Sequence, residues 1–551
     1  MRWGGLALLF ALTPLMAAPV GGAWAAEGAQ ASAQAGVQQA RAPEQVLRRG
    51  NGSEPESLDP AKVESVQASR ILNDLFEGLV TLDGSDRPVP AAAQSWQVSP
   101  DGLVYTFHLR SGLQWSDGSP LTAEDFVYGL RRVVDPASQS ASTFLTFPIK
   151  NAEAIADGRI KDLSELGVQA PDPLTLRFTL VRPTPYWVAA MSHPKFLPVK
   201  RANVEKYGAS FTQPGKLVSN GPFNLQDWTP QSRMVLVKNP KFHDAASVHL
   251  DKVIFQPIES ETEEFNRYRA GELDVTYFVP SQQTDLIRQN MAAELRTEPG
   301  LTMDYLGFSM GRPPLGTVPA LRRALSMVID RQALVDKIVK TGAPVAYSVV
   351  PAVGLPGYID QSADWAWLPM ADKIVTARQL YAAAGYDERH PLQIDLRIMA
   401  SDNVRKIANA VAAMWQSALG VKVTITAEDF NALVEHRHKR SPDLQVFWYA
   451  WTADYPDATT FLDLFTSSSP ENDTGYANPA YDKLIAEAES MADENRRIGF
   501  LQDAEEILVN DNPVMPLYTR AQPYLIKPWV RGYHIDPCGL TYDKDVTILP
   551  H

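Results

Sequence analysis

The sequence predicts an α/β fold, and three segments of its second half carry that prediction. Leu392, Ile394, Leu396 and Ile398 alternate with Gln393, Asp395 and Arg397, the period-2 pattern of a strand with one buried face. Ile407 to Leu419 reads as a helix, stopped by Gly420, a residue that enters the left-handed region at a helix end without a Cβ penalty. Val421 to Thr426 alternates again. Strand, helix and strand in this order make a parallel pair joined by a right-handed crossover. Leu444 to Trp451 is a further apolar run, expected to be a strand, and Leu321, Ala324, Leu325, Val328 and Ile329 fall on one face of a helix.

From the N-terminus, Met1-Arg2-Trp3 is a short positive start, Leu6 to Ala18 is apolar, and Ala23-Trp24-Ala25 has small-x-small spacing. This is the pattern of a secretory signal peptide over residues 1–25, cleaved after Ala25. The apolar run is too short to span a bilayer comfortably, and no cysteine follows it, so a lipid anchor of the bacterial lipoprotein type is not expected. Residues 26–41 carry almost no large apolar side chain and are expected to form a flexible leader. Patterned sequence begins at Gln45-Val46-Leu47. Val104 to Leu109 alternates as a strand after the turn Ser99-Pro100-Asp101-Gly102. After a second turn, Trp115 to Pro120, Thr122 is placed to cap a helix with Glu124 and Asp125 in its first turn. The stretch 341–371 is loop-rich and gives no readable pattern.

The chain has 551 residues, with 51 Lys and Arg against 64 Asp and Glu, a formal charge of −13. Such acidity gives a phosphate backbone nothing to bind, so nucleic acid is not an expected partner. Cys538 is the single cysteine, which excludes an intramolecular disulfide and any multi-cysteine metal site. Phosphate-binding glycine loops are absent. Gly307-Phe308-Ser309-Met310-Gly311 matches the G-x-S-x-G elbow of hydrolases, but that geometry needs a helix straight after the serine, and Pro313-Pro314 oppose one. His436-Arg437-His438-Lys439-Arg440 admits three readings: a solvated basic patch, an anion clamp, or a metal site. The metal site is disfavoured because histidines two apart converge only on a strand and the adjacent cations repel a metal. No enzyme signature stands, and no cofactor or metal is expected.

Several ordered segments carry a resemblance. Ala93-Gln94-Ser95-Trp96, Ser99-Pro100-Asp101-Gly102, Trp115-Ser116-Asp117-Gly118 and Leu121-Thr122-Ala123-Glu124-Asp125-Phe126 run together. Asn51-Gly52-Ser53-Glu54, Asp74-Leu75-Phe76-Glu77-Gly78-Leu79, Tyr268-Arg269-Ala270-Gly271-Glu272-Leu273-Asp274, Trp451-Thr452-Ala453-Asp454-Tyr455 and Lys527-Pro528-Trp529-Val530 extend it over about 47–551. The chain resembles the periplasmic oligopeptide- and murein-peptide-binding proteins, the extracellular solute-binding proteins of peptide ATP-binding-cassette importers.

The resemblance implies a three-lobed periplasmic binding protein: lobe I over 42–76, 202–301 and 523–551, lobe II over 77–201 and lobe III over 302–522, with lobes I and III closing on a cleft. It implies a monomeric periplasmic protein without enzymatic activity, an oligopeptide ligand and an inner-membrane permease as partner. Murein peptides, or metal chelates, opines and sugars on the same scaffold, are the alternatives. Asp454 matches the aspartate that holds a peptide's α-ammonium. Glu64 and Val66 match a lobe I strand bordering the ligand, and Tyr305 and Trp451 match cleft residues. The chain also departs from the family. Thr302 and Thr452 stand where a relative has a cysteine pair, Trp448 where it has a ligand-facing arginine, and Val404 where it has a histidine; Arg437 falls near a further arginine.

Overall fold

The structure, a computed structural model, describes residues 44–551 except 84–86, 141, 142, 352, 354, 356 and 492. The expected signal peptide, its cleavage site and the leader lie outside the described residues.

Among the described residues, three sheets have four or more strands. The first runs Val46–Gly50, Lys252–Gln256, Arg233–Lys238, Phe223–Thr229, with the first pair parallel and the others antiparallel. The second is antiparallel: Ala93–Val98, Val104–Leu109, Thr175–Thr179, Val168–Asp172. Tyr105, Phe107 and Leu109 are its buried face, as the alternation predicts. The helix Ala123–Val134 starts as expected, the Asp125 carboxylate accepting the Thr122 N–H at 2.8 Å.

The third sheet has five strands in the order Lys422–Glu428, Gln393–Met399, Val446–Thr452, Leu295–Phe308, Val514–Leu525. The predicted βαβ unit is present: Gln393–Met399 and Lys422–Glu428 pair in parallel around the helix Asp402–Leu419, which ends on Gly420 at φ 75°. Ile407, Ala408, Val411 and Trp415 are the buried stripe of that helix. The helix Pro319–Met327 buries Leu321, Ala324 and Leu325.

Apolar burial collects into two large cores. One draws on residues from Leu47 to Val275 and again from Tyr524 to Ile548. The other draws on Leu301 to Ala521, with Cys538. The loop-rich stretch near 350 is tied to the second core by Glu505, whose carboxylate accepts from Val349 N, Val350 N, Gln361 N and the Tyr358 hydroxyl at 2.7–2.9 Å. That anchor is not local in sequence, which is why the stretch carries no readable pattern.

The first core also holds a buried ion pair between the chain's ends. Arg49 donates to both Asp543 oxygens at 2.8 and 2.9 Å and to the Thr541 hydroxyl at 2.9 Å. Asp74, also buried, accepts the Asp543 N–H at 3.1 Å. Burial, then the adjacent Asp543 charge, raises the Asp74 carboxyl well above its ordinary range.

One expected element is different. Glu64 and Val66 do not belong to a strand: Glu64 is an exposed loop residue and Val66 opens the helix Val66–Leu75. The Glu56 carboxylate accepts the N–H groups of Glu64 and Ser65, and Ser65 caps the helix by accepting the Ala68 N–H at 3.1 Å. Those side-chain bonds satisfy the backbone where a sheet partner was expected.

Candidate ligand-binding site

The strand Val446–Thr452 is unevenly covered. On one side Leu295–Phe308 pairs with all of it, from Val446–Phe308 to Thr452–Thr302. On the other side Gln393–Met399 meets it only at Leu396–Val446 and Arg397–Phe447 among the described residues. Beyond that, Ile398 and Met399 stay with Ala427 and Glu428 and the chain turns into the helix at 402. The Ala453 N–H bonds Leu301 O and the Ser309 N–H bonds Gln445 O, so odd-numbered residues face the covered side. Alternation then turns the backbone N–H and C=O of Trp448, Ala450 and Thr452 to the open edge.

The same period sorts side chains between two cavities. Trp451, with Asp454 just past the strand's end, lines a cavity of about 1030 Å³. Trp448 and Thr452 line another of about 480 Å³, together with Val66, Phe278, Met399, Val404 and Ile407.

Asp454 is the chemical centre of the larger cavity. Its N–H donates to Thr460 Oγ1 at 3.1 Å. Among the described residues no cation pairs with its carboxyl. Burial, reinforced by the nearby Glu471 charge and only partly offset by the Thr460 hydroxyl, pushes it up to about 7. Asp463, on the same wall, is pushed to about 8 by burial and by Glu489. Across the cavity, Tyr186 stacks on Tyr455 with ring centres 4.6 Å apart, joining the segment around 186 to the one around 455. On that wall Arg182 pairs with Glu489 and draws the Asp463 carboxyl partly back down, whereas the Asp454 carboxyl has, among the described residues, only the Glu471 charge beside it, a deficit that a cationic ligand group fills.

The other residues named from sequence are distributed as follows. Trp451 and Val66 line the cavities; Glu64 lines neither. Tyr305 is buried on the odd-numbered face, its ring edge-on to Tyr449 at 5.9 Å and to Phe465 at 6.3 Å, and lines neither cavity. Arg437 is not solvated: it is 0% exposed, ion-paired with Asp473 and lies 3.4 Å above the centre of the Tyr449 ring. The basic-patch reading fails for it because residues 430–438 are a helix, on which 436, 437 and 438 fan apart. His436 meets Glu428 at 2.7 Å and His438 meets Asp473 at 3.1 Å. Thr302 and Thr452, at the family's cysteine positions, hydrogen-bond each other at 2.9 Å. After Ser309 the chain makes turns, not a helix, until Pro319, so the elbow geometry does not form.

Sequence reasoning missed Asp463, Tyr186 and the Arg520–Asp304 pair. Tyr455 was legible as the residue after Asp454; Asp463 lies in the following short helical segment, where an acidic residue gave no signal of its own, and the others come from segments remote in sequence.

The profile of bacterial extracellular solute-binding proteins, family 5 (middle), matches residues 87–473. A probable deoxycholate-binding periplasmic protein of Escherichia coli is 38% identical over 513 residues, 93% of this chain and 95% of its own. The periplasmic oligopeptide-binding protein OppA of Salmonella typhimurium is 38% identical over 525 residues, 94% of each chain. Among solved structures, the murein tripeptide-binding protein MppA of Escherichia coli superposes with a TM-score of 0.82 at 35% identity, covering 93% of this chain and 100% of that one. Haemophilus influenzae OppA in complex with the peptide RPPGFSPFR gives 0.80 at 32% identity, covering 93% and 100%. With a matching profile over most of its length and relatives of this identity end to end, the chain belongs to family 5 of the bacterial extracellular solute-binding proteins.

Proposed function

We propose that the protein is the periplasmic ligand-capturing component of an ATP-binding-cassette importer, and that its ligand is an oligopeptide laid along the open edge of Trp448–Thr452 with its α-ammonium on Asp454. The observation that carries the reading is a strand edge that, among the described residues, is unpaired and leads to a buried carboxyl without a cation. An added strand supplies backbone hydrogen bonds common to every peptide, and the carboxyl supplies the charge that an ammonium needs when desolvated. The chain is divided into lobe I (42–76, 202–301, 523–551), lobe II (77–201) and lobe III (302–522); the two cores support the separation of lobe III, while lobes I and II share one core. A signal peptide removed after Ala25 delivers the monomeric, unanchored protein to the periplasm, and an inner-membrane permease takes the ligand from it.

Native mass spectrometry of protein purified from the periplasm is expected to show mass increments of short peptides, released on denaturation. The apolar walls of the smaller cavity favour one second reading, a steroid acid like that named for the deoxycholate-binding relative. A single increment of that mass would replace the peptide reading.

The acid–base state of Asp454 gives a pH profile. The ligand binds the ionised carboxyl, while the free protein holds its proton up to about 7. Binding therefore releases a proton below pH 7. Affinity is expected to rise about tenfold per unit up to that point and to fall again above about 8, where the α-amino group loses its charge. Calorimetry in buffers of different ionisation heat reads the released proton. A flat profile from pH 5 to 7 would remove Asp454 from the site.

A further inference from the structure

We propose that the cavity of about 480 Å³ beside the open edge is a selectivity pocket for an apolar, uncharged part of the ligand, and that it rejects a free carboxylate. The inference rests on the reading above, a peptide anchored at Asp454, and adds what must lie further along it.

The first ground is charge. Arg520 is the only Lys, Arg or His among the described residues lining this cavity. Its Nε and Nη2 donate to the two Asp304 oxygens at 3.0 and 2.8 Å, and Asp304 is fully buried. That pair cancels the Arg520 charge, and drawing the guanidinium away from Asp304 would strand a buried carboxylate. Glu298 and Asp536 also line the cavity, so a ligand carboxylate entering it would be desolvated among like charges.

The second ground is Trp448. It is 6% exposed, lines the cavity, and its indole N–H is buried without a hydrogen-bond partner among the described residues. What the residue offers the cavity is an aromatic ring, which suits an apolar group and cannot pair with a carboxylate. The other walls at this end, Val66, Phe278, Met399, Val404 and Ile407, agree.

The third ground is register. Trp448 and Thr452 present their backbones to the open edge and their side chains to this cavity. A strand added at that edge sends every second side chain to the same face. One cavity therefore meets the charged start of the ligand, and the other meets a neutral continuation.

The test uses peptides of three to six residues with a free amino end and Phe as last residue, each as free acid and as C-terminal amide, titrated calorimetrically into the full-length processed protein. At the length that brings the last residue into the cavity, the amide is expected to bind about tenfold tighter or more. Asp in place of Phe in that amide should cost a similar factor. In Trp448→Arg the acid is expected to overtake the amide at the same length. Acids binding as tightly as amides at every length would overturn the inference, and this comparison needs no variant to fold. N-acetylated controls separate the two layers: if acetylation costs nothing, the Asp454 reading fails, while an acid–amide difference would still support the pocket.

Discussion

Asp454→Asn is expected to weaken binding of a peptide with a free amino end by roughly a hundredfold to a few thousandfold, and to change little for the N-acetylated form. The substitution keeps the shape and removes the charge, so it isolates the electrostatic contribution. Leaving one partner of a buried pair alone costs about 3–5 kcal/mol, and about 1.4 kcal/mol is a decade in affinity. The site fits this regime because the carboxyl follows a strand's end, its position is fixed by Thr460, and burial already holds it near 7 without a ligand. Peptide, acetyl-peptide, native protein and variant form a thermodynamic cycle. Strong non-additivity is the expected result, because each change deletes the same pair. Independent, additive losses would mean that the ammonium sits elsewhere.

Arg49→Met is expected to destabilise the fold by about 3–5 kcal/mol, the largest stability effect of any single substitution proposed for this chain. The variant leaves Asp543 and Asp74 together in the first core without the guanidinium that pairs with Asp543. The deficit is expected to grow with pH. A carboxyl whose folded pKa is raised, as that of Asp74 is, binds its proton more tightly in the native state than in the unfolded chain. Stability then falls as pH rises above the unfolded carboxylate range. Thermal unfolding at pH 5 and pH 8 measures both effects. Adding Asp543→Asn should recover part of the loss; no recovery would point to packing of the guanidinium between Phe255 and Tyr533 as its main role.

Patterns that depend on neighbours in sequence were legible. The alternation at 104–109 and at 392–398, the stop at Gly420 and the cap at Thr122 all record local backbone geometry, and the structure has each of them. Patterns that depend on a remote partner were not. Arg437 looks like one more cation in a basic run until Asp473, 36 positions on, is brought against it. The resemblance puts Glu64 and Val66 on a strand, but Glu56 accepts the N–H groups of Glu64 and Ser65, and Ser65 caps the helix that Val66 opens. The site divides in the same way. That Asp454 ends a strand, and that Trp448 and Trp451 face opposite ways, follow from period 2 alone. Which cavity each face meets depends on Val66, Phe278 and Tyr186, contributed by segments the local pattern cannot bring near.

The joining of Arg49 to Asp543 sets an order of assembly. The second core is built from one nearly continuous stretch, 301–521 with Cys538, and can condense as soon as that stretch is available. The first core includes Leu47 at one extreme and Val546 and Ile548 at the other, with Arg49 and Asp543 separated by 494 positions. A chain that emerges from its N-terminus, whether from a ribosome or through a pore, exposes the first core's opening strand long before the residues that complete it exist on the same side. Domains normally fold in the order they emerge; here the core that opens first is finished last, after the tail carrying Asp543, Val546 and Ile548 arrives.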